Sequence, residues 1–139
     1  MSIEIDTPPQ ATGYLLLFRN SNWDYGLSDD ETRRAMGKVK EWFDGLFAAG
    51  KIVSAQPLME EKAFISGKGG SSVTDGPFAE AKEVIGGYVL LSADSLEEAV
   101  AIAKTNPMHD FGLTTEVRAT ASSCPHLYRL NSRLAEAAA

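Results

Sequence analysis

The chain has 139 residues, of which 44% are hydrophobic and 23% charged, and its formal net charge is −6. This length predicts one domain whose core needs no disulfide or metal for stability. An acidic balance without clusters of Lys and Arg argues against a nucleic-acid partner, and the lack of a long apolar run argues against a membrane span. The single cysteine, Cys124, excludes an internal disulfide, and we interpret it as a bystander rather than a nucleophile.

The first predicted elements are a leader, a strand and a long helix. Residues 1–11 contain prolines and acids without periodicity, which predicts a flexible leader rather than a signal peptide. A cytoplasmic location is therefore expected. Residues 14–18 are apolar on both faces and predict a strand. Ser28 and Glu31 match a capping box, which predicts a helix over residues 29–49. Helical spacing predicts its core face: Met36, Val39, Phe43, Leu46 and Phe47.

Every element predicted between residues 51 and 93 is a strand. Residues 51–58 predict a second strand, because they are rich in apolar residues and end at a proline. Residues 63–66 and 71–74 flank a glycine-rich stretch and predict a hairpin. Residues 84–93 form the longest apolar run and predict a further, well-buried strand.

A second helix, a last strand and a tail complete the predicted elements. Asp94 and Ser95 are suitable residues to begin a helix, which residues 106–107, Asn-Pro, would end. Residues 113–119 alternate in polarity and predict a half-exposed strand, and residues 120–139 are a tail with helical potential. Two apolar faces are predicted, one on each helix: Leu96, Ala99, Val100 and Ala103, and in the tail Leu127, Leu130 and Leu134.

This order of elements predicts an α+β fold. It is a ferredoxin-like β-α-β-β-α-β arrangement with an inserted β-hairpin, and two helices lie on one face of an antiparallel sheet. The domain is predicted to span residues 12–119. Since two helices cover only one face, apolar side chains of the strands at 14–18 and 84–91 would be exposed on the other. That patch predicts a homodimer through the helix-free sheet face.

One stretch resembles a known family. Residues 74–78 read Thr-Asp-Gly-Pro-Phe, and residues 82–83, 86–88 and 116–118 read Lys-Glu, Gly-Gly-Tyr and Glu-Val-Arg. These pieces resemble the signature of the DGPF group of YciI-like (YCII-related) proteins, over about residues 12–119. The resemblance implies the same ferredoxin-like fold, of the dimeric α/β-barrel type.

The resemblance also implies a range of functions. YciI proper is associated with a histidine in the first helix and a His–Asp active pair, but residues 29–49 contain no histidine, so that chemistry does not carry over. What it implies is a small dimeric protein that binds a small polar or anionic molecule in a cleft. If it is an enzyme, the implied chemistry is cofactor-free proton transfer of the lyase or isomerase type. The alternative is a non-catalytic regulatory or accessory module, as in domains linked to sigma-factor systems.

Two residues are candidates for catalysis. Asp75 stands before Gly76-Pro77, where a rigid turn could present its carboxylate as a base, or where the carboxylate could simply cap that turn. Histidine is a residue type suited to acid–base chemistry at neutral pH, so His109 could act as acid or base with Asp110 holding it, or it could be an ordinary loop residue. For both residues the structural alternative carries more weight.

Three residues are candidates for ligand binding, and they are Arg19, Tyr88 and Arg118. The two arginines fall on the first and last strands, where a guanidinium could bind an anionic ligand or pair with Glu116 or another nearby acid. Gly86 and Gly87, just before Tyr88, are more typical of a bulge than of a ligand contact. Two separated histidines and one distant cysteine predict no metal site, and no cofactor is expected.

Overall fold

The computed structural model describes residues 8–75 and 85–138 of the chain. Its six strands are β1 (Ala11–Arg19), β2 (Ile52–Pro57), β3 (Ala63–Ser66), β4 (Ser72–Asp75), β5 (Ile85–Leu91) and β6 (Thr114–Ala121). Its three α-helices are α1 (Asp29–Ala48), α2 (Leu96–Lys104) and α3 (Pro125–Ala138), and a 3-10 turn covers Pro107–Phe111.

Four of the strands form one antiparallel sheet in the order β2-β5-β1-β6. Each helix α1 and α2 connects two strands that are not neighbours in the sheet, which is the split β-α-β arrangement. β3 and β4 pair only with each other and form a separate two-stranded sheet. The α+β class and the inserted hairpin predicted from the sequence are therefore confirmed.

The helix ends follow the predicted local signals. The Ser28 hydroxyl accepts the Glu31 backbone N–H at 3.1 Å, and the Glu31 carboxylate accepts the Ser28 N–H at 3.1 Å, so the capping box is complete. Gly50 follows α1 with φ of 69°, the left-handed conformation that favours glycine after a helix. Ser95 caps α2 by accepting the Glu98 N–H at 3.1 Å.

The core lies between one face of the sheet and both α1 and α2. Alternate residues of β1 and β5 point into it, and Leu16, Val89 and Leu91 are completely buried. These strand residues form one cluster with Val39 of α1 and Ala99 of α2. Both helices therefore cover the same face, as the sequence predicts.

The predicted inner faces of these helices were partly wrong. In α2, Ala99 and Ala103 are buried, but Leu96 is 52% and Val100 36% exposed. Contact through the small alanines brings the helix close to the sheet and leaves its larger side chains at the rim. In α1 the two ends of the predicted stripe are exposed, Met36 at 47% and Phe47 at 57%.

The tail forms the predicted helix. α3 carries its leucines on one stripe, but all three are exposed, Leu134 at 58%. Because this stripe is not buried, α3 does not cover the helix-free face of the sheet. On that face Leu15, Leu17, Tyr88 and Leu90 are half-buried rather than fully exposed, as expected for side chains that shield one another in the middle of a sheet.

Candidate functional site

An apolar cavity of about 430 Å³ lies next to the core, between α1 and the sheet. It lies where β1 and β2 end and β5 begins, close to the 3-10 turn. None of its lining residues is Asp, Glu, His, Lys or Arg within the part of the chain that the structure describes. Side chains that line it include Phe18, Trp23, Met36, Val39, Phe43 and Met108.

The cavity lies where α1 makes few close backbone contacts with the sheet. α1 approaches the rest of the domain mainly at the 3-10 turn Pro107–Phe111, and Val39 and Ala35 are its buried residues. Below the helix, the position opposite Phe18 on β5 is Gly87. A β-carbon at Gly87 would lie 3.0 Å from the Gln56 carbonyl oxygen, so a side chain there would crowd the floor of the cavity.

The loop after β1 forms one end of the cavity. Asn20 adopts a positive φ of 57°, a conformation that asparagine tolerates, and the chain then turns back over β5. Ser21 comes to lie against Gly86, where a β-carbon would overlap the Ser21 Cβ and Oγ atoms. The register between β1 and β5 shifts at the same place, so Gly86 is the extra residue of a bulge, as the sequence favours.

The two candidate arginines are paired with one carboxylate on the opposite, helix-free face. Arg19 Nε donates to Glu116 Oε1 at 2.8 Å, and Arg19 Nη2 lies 2.7 Å from the same oxygen. Arg118 Nη1 lies 3.3 Å from Glu116 Oε2. This is the intramolecular alternative that the sequence left open. Hydrogen bonds from Arg19 first, and then from Arg118, hold the pKa of Glu116 below its ordinary value of 4.5.

The pairing predicts a pH-dependent effect of Glu116→Gln. Because the pKa of Glu116 is lowered on folding, its contribution to stability is complete above about pH 4.5 and is lost as the pH falls through the folded-state pKa. At neutral pH and low salt we expect Glu116→Gln to have a lower Tm than the unmodified protein, and we expect the difference to shrink in acid.

Thermal unfolding followed by circular dichroism from neutral pH to about pH 3 measures this difference. Glu41, an exposed carboxylate of α1, supplies the control, since Glu41→Gln should leave the Tm unchanged throughout. A Tm difference for Glu116→Gln that stays constant down to pH 3 would show that the charge of Glu116 is not what stabilises the fold.

His109 lies in the 3-10 turn, and its partner differs from the one considered in the sequence. Its Nε2 atom is 2.8 Å from the Thr115 hydroxyl, whereas Asp110 is exposed and is not hydrogen-bonded to it. Sequence neighbours on a tight turn point in different directions, which explains the difference. His109 is half-buried beside the cavity but is not among the residues that line it.

The predicted site residues do not converge on one cleft. Arg19 and Arg118 lie on the helix-free face, because each alternates with a core-facing neighbour on its strand. Tyr88 alternates with core-facing Val89 in the same way, but it is also among the residues that line the cavity. His109 lies on the helix side of the sheet. Asp75 ends β4, and its side chain, with residues 76–84 of the turn and the Lys-Glu pair, lies outside the described residues. Its proposed role as a base stays a prediction of the sequence.

Of the described residues that line the cavity, the sequence predicted only Tyr88 as part of a ligand site. Met36, Val39, Phe43 and Phe47 also line it and were predicted as the core face of α1. A stripe of aromatic and methionine residues does not distinguish a filled core from a cavity wall, so no local signal identifies it.

Neither a metal-binding cluster nor a membrane-spanning helix is present among the described residues. Across residues 8–75 and 85–138, no group of three or more His, Cys, Asp and Glu side chains is arranged to hold a metal ion. No helix in these ranges is long and apolar enough to cross a membrane.

Comparison with known proteins identifies the domain. The model of the YCII-related domain family matches residues 13–121, which is most of the chain and includes both packed helices and the four-stranded sheet except for the first two residues of β1. A search of curated proteins found no significant match. The split β-α-β sheet agrees with the resemblance carried by residues 74–78, 86–88 and 116–118, and we conclude that the chain belongs to the YCII-related domain family.

Proposed function

We propose that this chain is a small-molecule-binding protein whose ligand has an apolar body held in the cavity between α1 and the sheet. The cavity itself is the observation that carries the proposal. Its volume of about 430 Å³ falls within the range of ligand pockets in proteins, which are mostly apolar and few per protein. An apolar recess of this size, lined by aromatic and methionine side chains, suits an aromatic or branched aliphatic group.

The proposal differs from the polar or anionic ligand expected from the sequence. The resemblance implied that ligand, and Arg19 and Arg118 were the candidate residues to bind an anion, but both contact Glu116. An anion would have to compete with a carboxylate that already lies 2.7 Å from Arg19. The apolar cavity lies on the other face of the sheet, so a ligand there does not have to displace Glu116 from Arg19.

Binding rather than catalysis is the activity that the described residues support. Proton transfer needs an acid or base within hydrogen-bond reach of the ligand, and the described lining contains no carboxylate or histidine. Asp75, whose side chain lies outside the described residues, is the candidate base that the sequence offers. Asp75→Asn keeps a hydrogen-bond acceptor for the turn but removes the charge, so unchanged turnover of a substrate would remove Asp75 from the mechanism.

We propose further that the protein works as a homodimer through the helix-free face. Four half-buried side chains there, Leu15, Leu17, Tyr88 and Leu90, are continuous across the two central strands. Neither α1 nor α2 covers them, and the leucine stripe of α3 is exposed. A second copy packed on this patch would remove it from water.

The binding proposal predicts that butylbenzene enters the cavity. At about −0.5 kcal/mol for each of its heavy atoms, the binding free energy is about −5 kcal/mol, which gives a Kd on the order of 0.2 mM. The chain has two tryptophans: Trp23 lines the cavity, and Trp42 donates a hydrogen bond to Thr105. In a Trp42→Phe background, quenching or a blue shift of Trp23 fluorescence reports occupancy.

A cavity-filling variant provides the control for that measurement. Ala55 lines the cavity and pairs with the core residue Val89, so Ala55→Phe should place a ring in the space and abolish the fluorescence change. Ala119 of β6 is exposed and does not line the cavity, and Ala119→Phe should leave binding unchanged. Equal binding by both variants would contradict the proposal and would favour the non-catalytic interaction module.

A further inference from the structure

A second recess adjoins the apolar cavity. It has a volume of about 310 Å³ and a lining that is polar and apolar in similar measure. The two recesses share Ser21 and Gly86, so they lie end to end at the loop after β1. The other residues that line the second recess are Asn22, Tyr25, Leu58, Met59 and Glu60.

The two recesses meet at the contact between Ser21 and Gly86. Since Gly86 has no side chain, the Ser21 side chain occupies the position that a β-carbon would take, directly against the β5 backbone. Ser21 is half-buried, and its hydroxyl has no hydrogen-bond partner among the residues that the structure describes. A hydroxyl both donates and accepts, so a polar ligand atom at this junction would give it a partner.

The chemistry of the second recess favours some polar groups over others. Glu60 is its carboxylate, and the described lining contains no Lys, Arg or His. Asn22 and Tyr25 add neutral hydrogen-bonding groups. A carboxylate or phosphate on the ligand would meet the charge of Glu60 without a compensating cation, whereas an amine or hydroxyl would not.

We infer that the two recesses form one elongated site for an amphipathic molecule, with an apolar body in the first recess and a neutral or cationic head group in the second. The inference depends on the proposed function, because it takes the first recess as the place of the apolar body. It adds the polarity of the ligand, which is that of an aryl-alkyl alcohol or amine rather than an acid.

Four matched probes test this assignment, and they are butylbenzene, phenylbutanol, phenylbutylamine and phenylbutanoate. We expect the alcohol and the amine to bind roughly fivefold more tightly than butylbenzene, the gain typical of one net hydrogen bond. The carboxylate should bind more weakly than butylbenzene. Affinities are measured at neutral pH through Trp23 fluorescence in the Trp42→Phe background and checked by calorimetry.

Variants of Ser21 and Glu60 show whether these residues cause the differences in affinity between the probes. Ser21→Ala should remove most of the gain of phenylbutanol over butylbenzene, and Glu60→Gln should reduce the affinity for the amine while improving that for the carboxylate. Glu61 does not line either recess, so Glu61→Gln is the matched control and should change neither affinity.

The outcomes separate this inference from the proposed function. If butylbenzene does not bind, or if Ala55→Phe fails to block it, the proposed function fails and this inference fails with it. If butylbenzene binds but the carboxylate binds as tightly as the amine, or Ser21→Ala and Glu60→Gln have no effect, only the inference is overturned.

Discussion

Replacing Leu90 with glutamate should dissociate the proposed homodimer into monomers. Leu90 pairs with Leu15 of β1 and with Ser54 of β2, so it lies within the helix-free face. In a twofold dimer each substitution acts twice. At about 2 kcal/mol for each lost buried leucine, the dimer loses about 4 kcal/mol, which raises its Kd roughly 1000-fold.

Sedimentation equilibrium or light scattering at micromolar concentration measures this change. Leu96→Glu is the matched control, because Leu96 is 52% exposed on α2, on the other side of the sheet, and should keep the dimer intact. Leu90→Met keeps an apolar side chain of similar size and should also remain dimeric. An unmodified protein that is monomeric under these conditions would refute the proposed dimer.

Gly86→Ala should lower the free energy of unfolding by about 2 kcal/mol, the usual cost of forcing an extra carbon into a packed site. The new methyl group would overlap the Ser21 side chain, so the loop after β1 has to move away from β5. Urea unfolding followed by circular dichroism measures the loss. The same shift would widen the junction between the two recesses.

A double-mutant cycle identifies the cause of that loss. If the clash with Ser21 is responsible, Ser21→Gly combined with Gly86→Ala should recover at least about 1 kcal/mol relative to the sum of the single changes. Gly45→Ala in α1 is the control, because nothing lies within 4 Å of a β-carbon there, and it should stabilise by up to about 1 kcal/mol. Equal losses with and without Ser21 would exclude the clash.

Much of the fold was predictable because its signals are local. The Ser28–Glu31 capping box and the Ser95 cap act through hydrogen bonds to nearby backbone. Pro107 acts locally as well, because its ring keeps the residue before it out of the helical conformation. Alternation along β1 and β6 similarly determines which side chains share a face. The order of such elements was enough to predict the α+β fold and the inserted hairpin.

The candidate site was predicted less well. Arg19 and Glu116 are 97 positions apart in the chain, so only the register of β1 against β6 decides that they meet. The same holds for His109, whose contact with Thr115 depends on how the 3-10 turn folds against β6. Met36 and Phe47, at the two ends of the predicted core face of α1, are exposed. Their exposure depends on the distance between the helix and the sheet, which amphipathicity does not specify.

The sequence by itself determined the family, the strands and helices with their caps, and the fold class, because each depends on the identity of residues close together in the chain. The tertiary structure alone decided that the arginines are paired and that an apolar cavity lies under α1. Phe18, Val39, Gly87 and Met108 come from four separate elements and line this one cavity. Whether such residues fill a core or leave room for a ligand depends on the distance between packed elements, which local patterns do not encode.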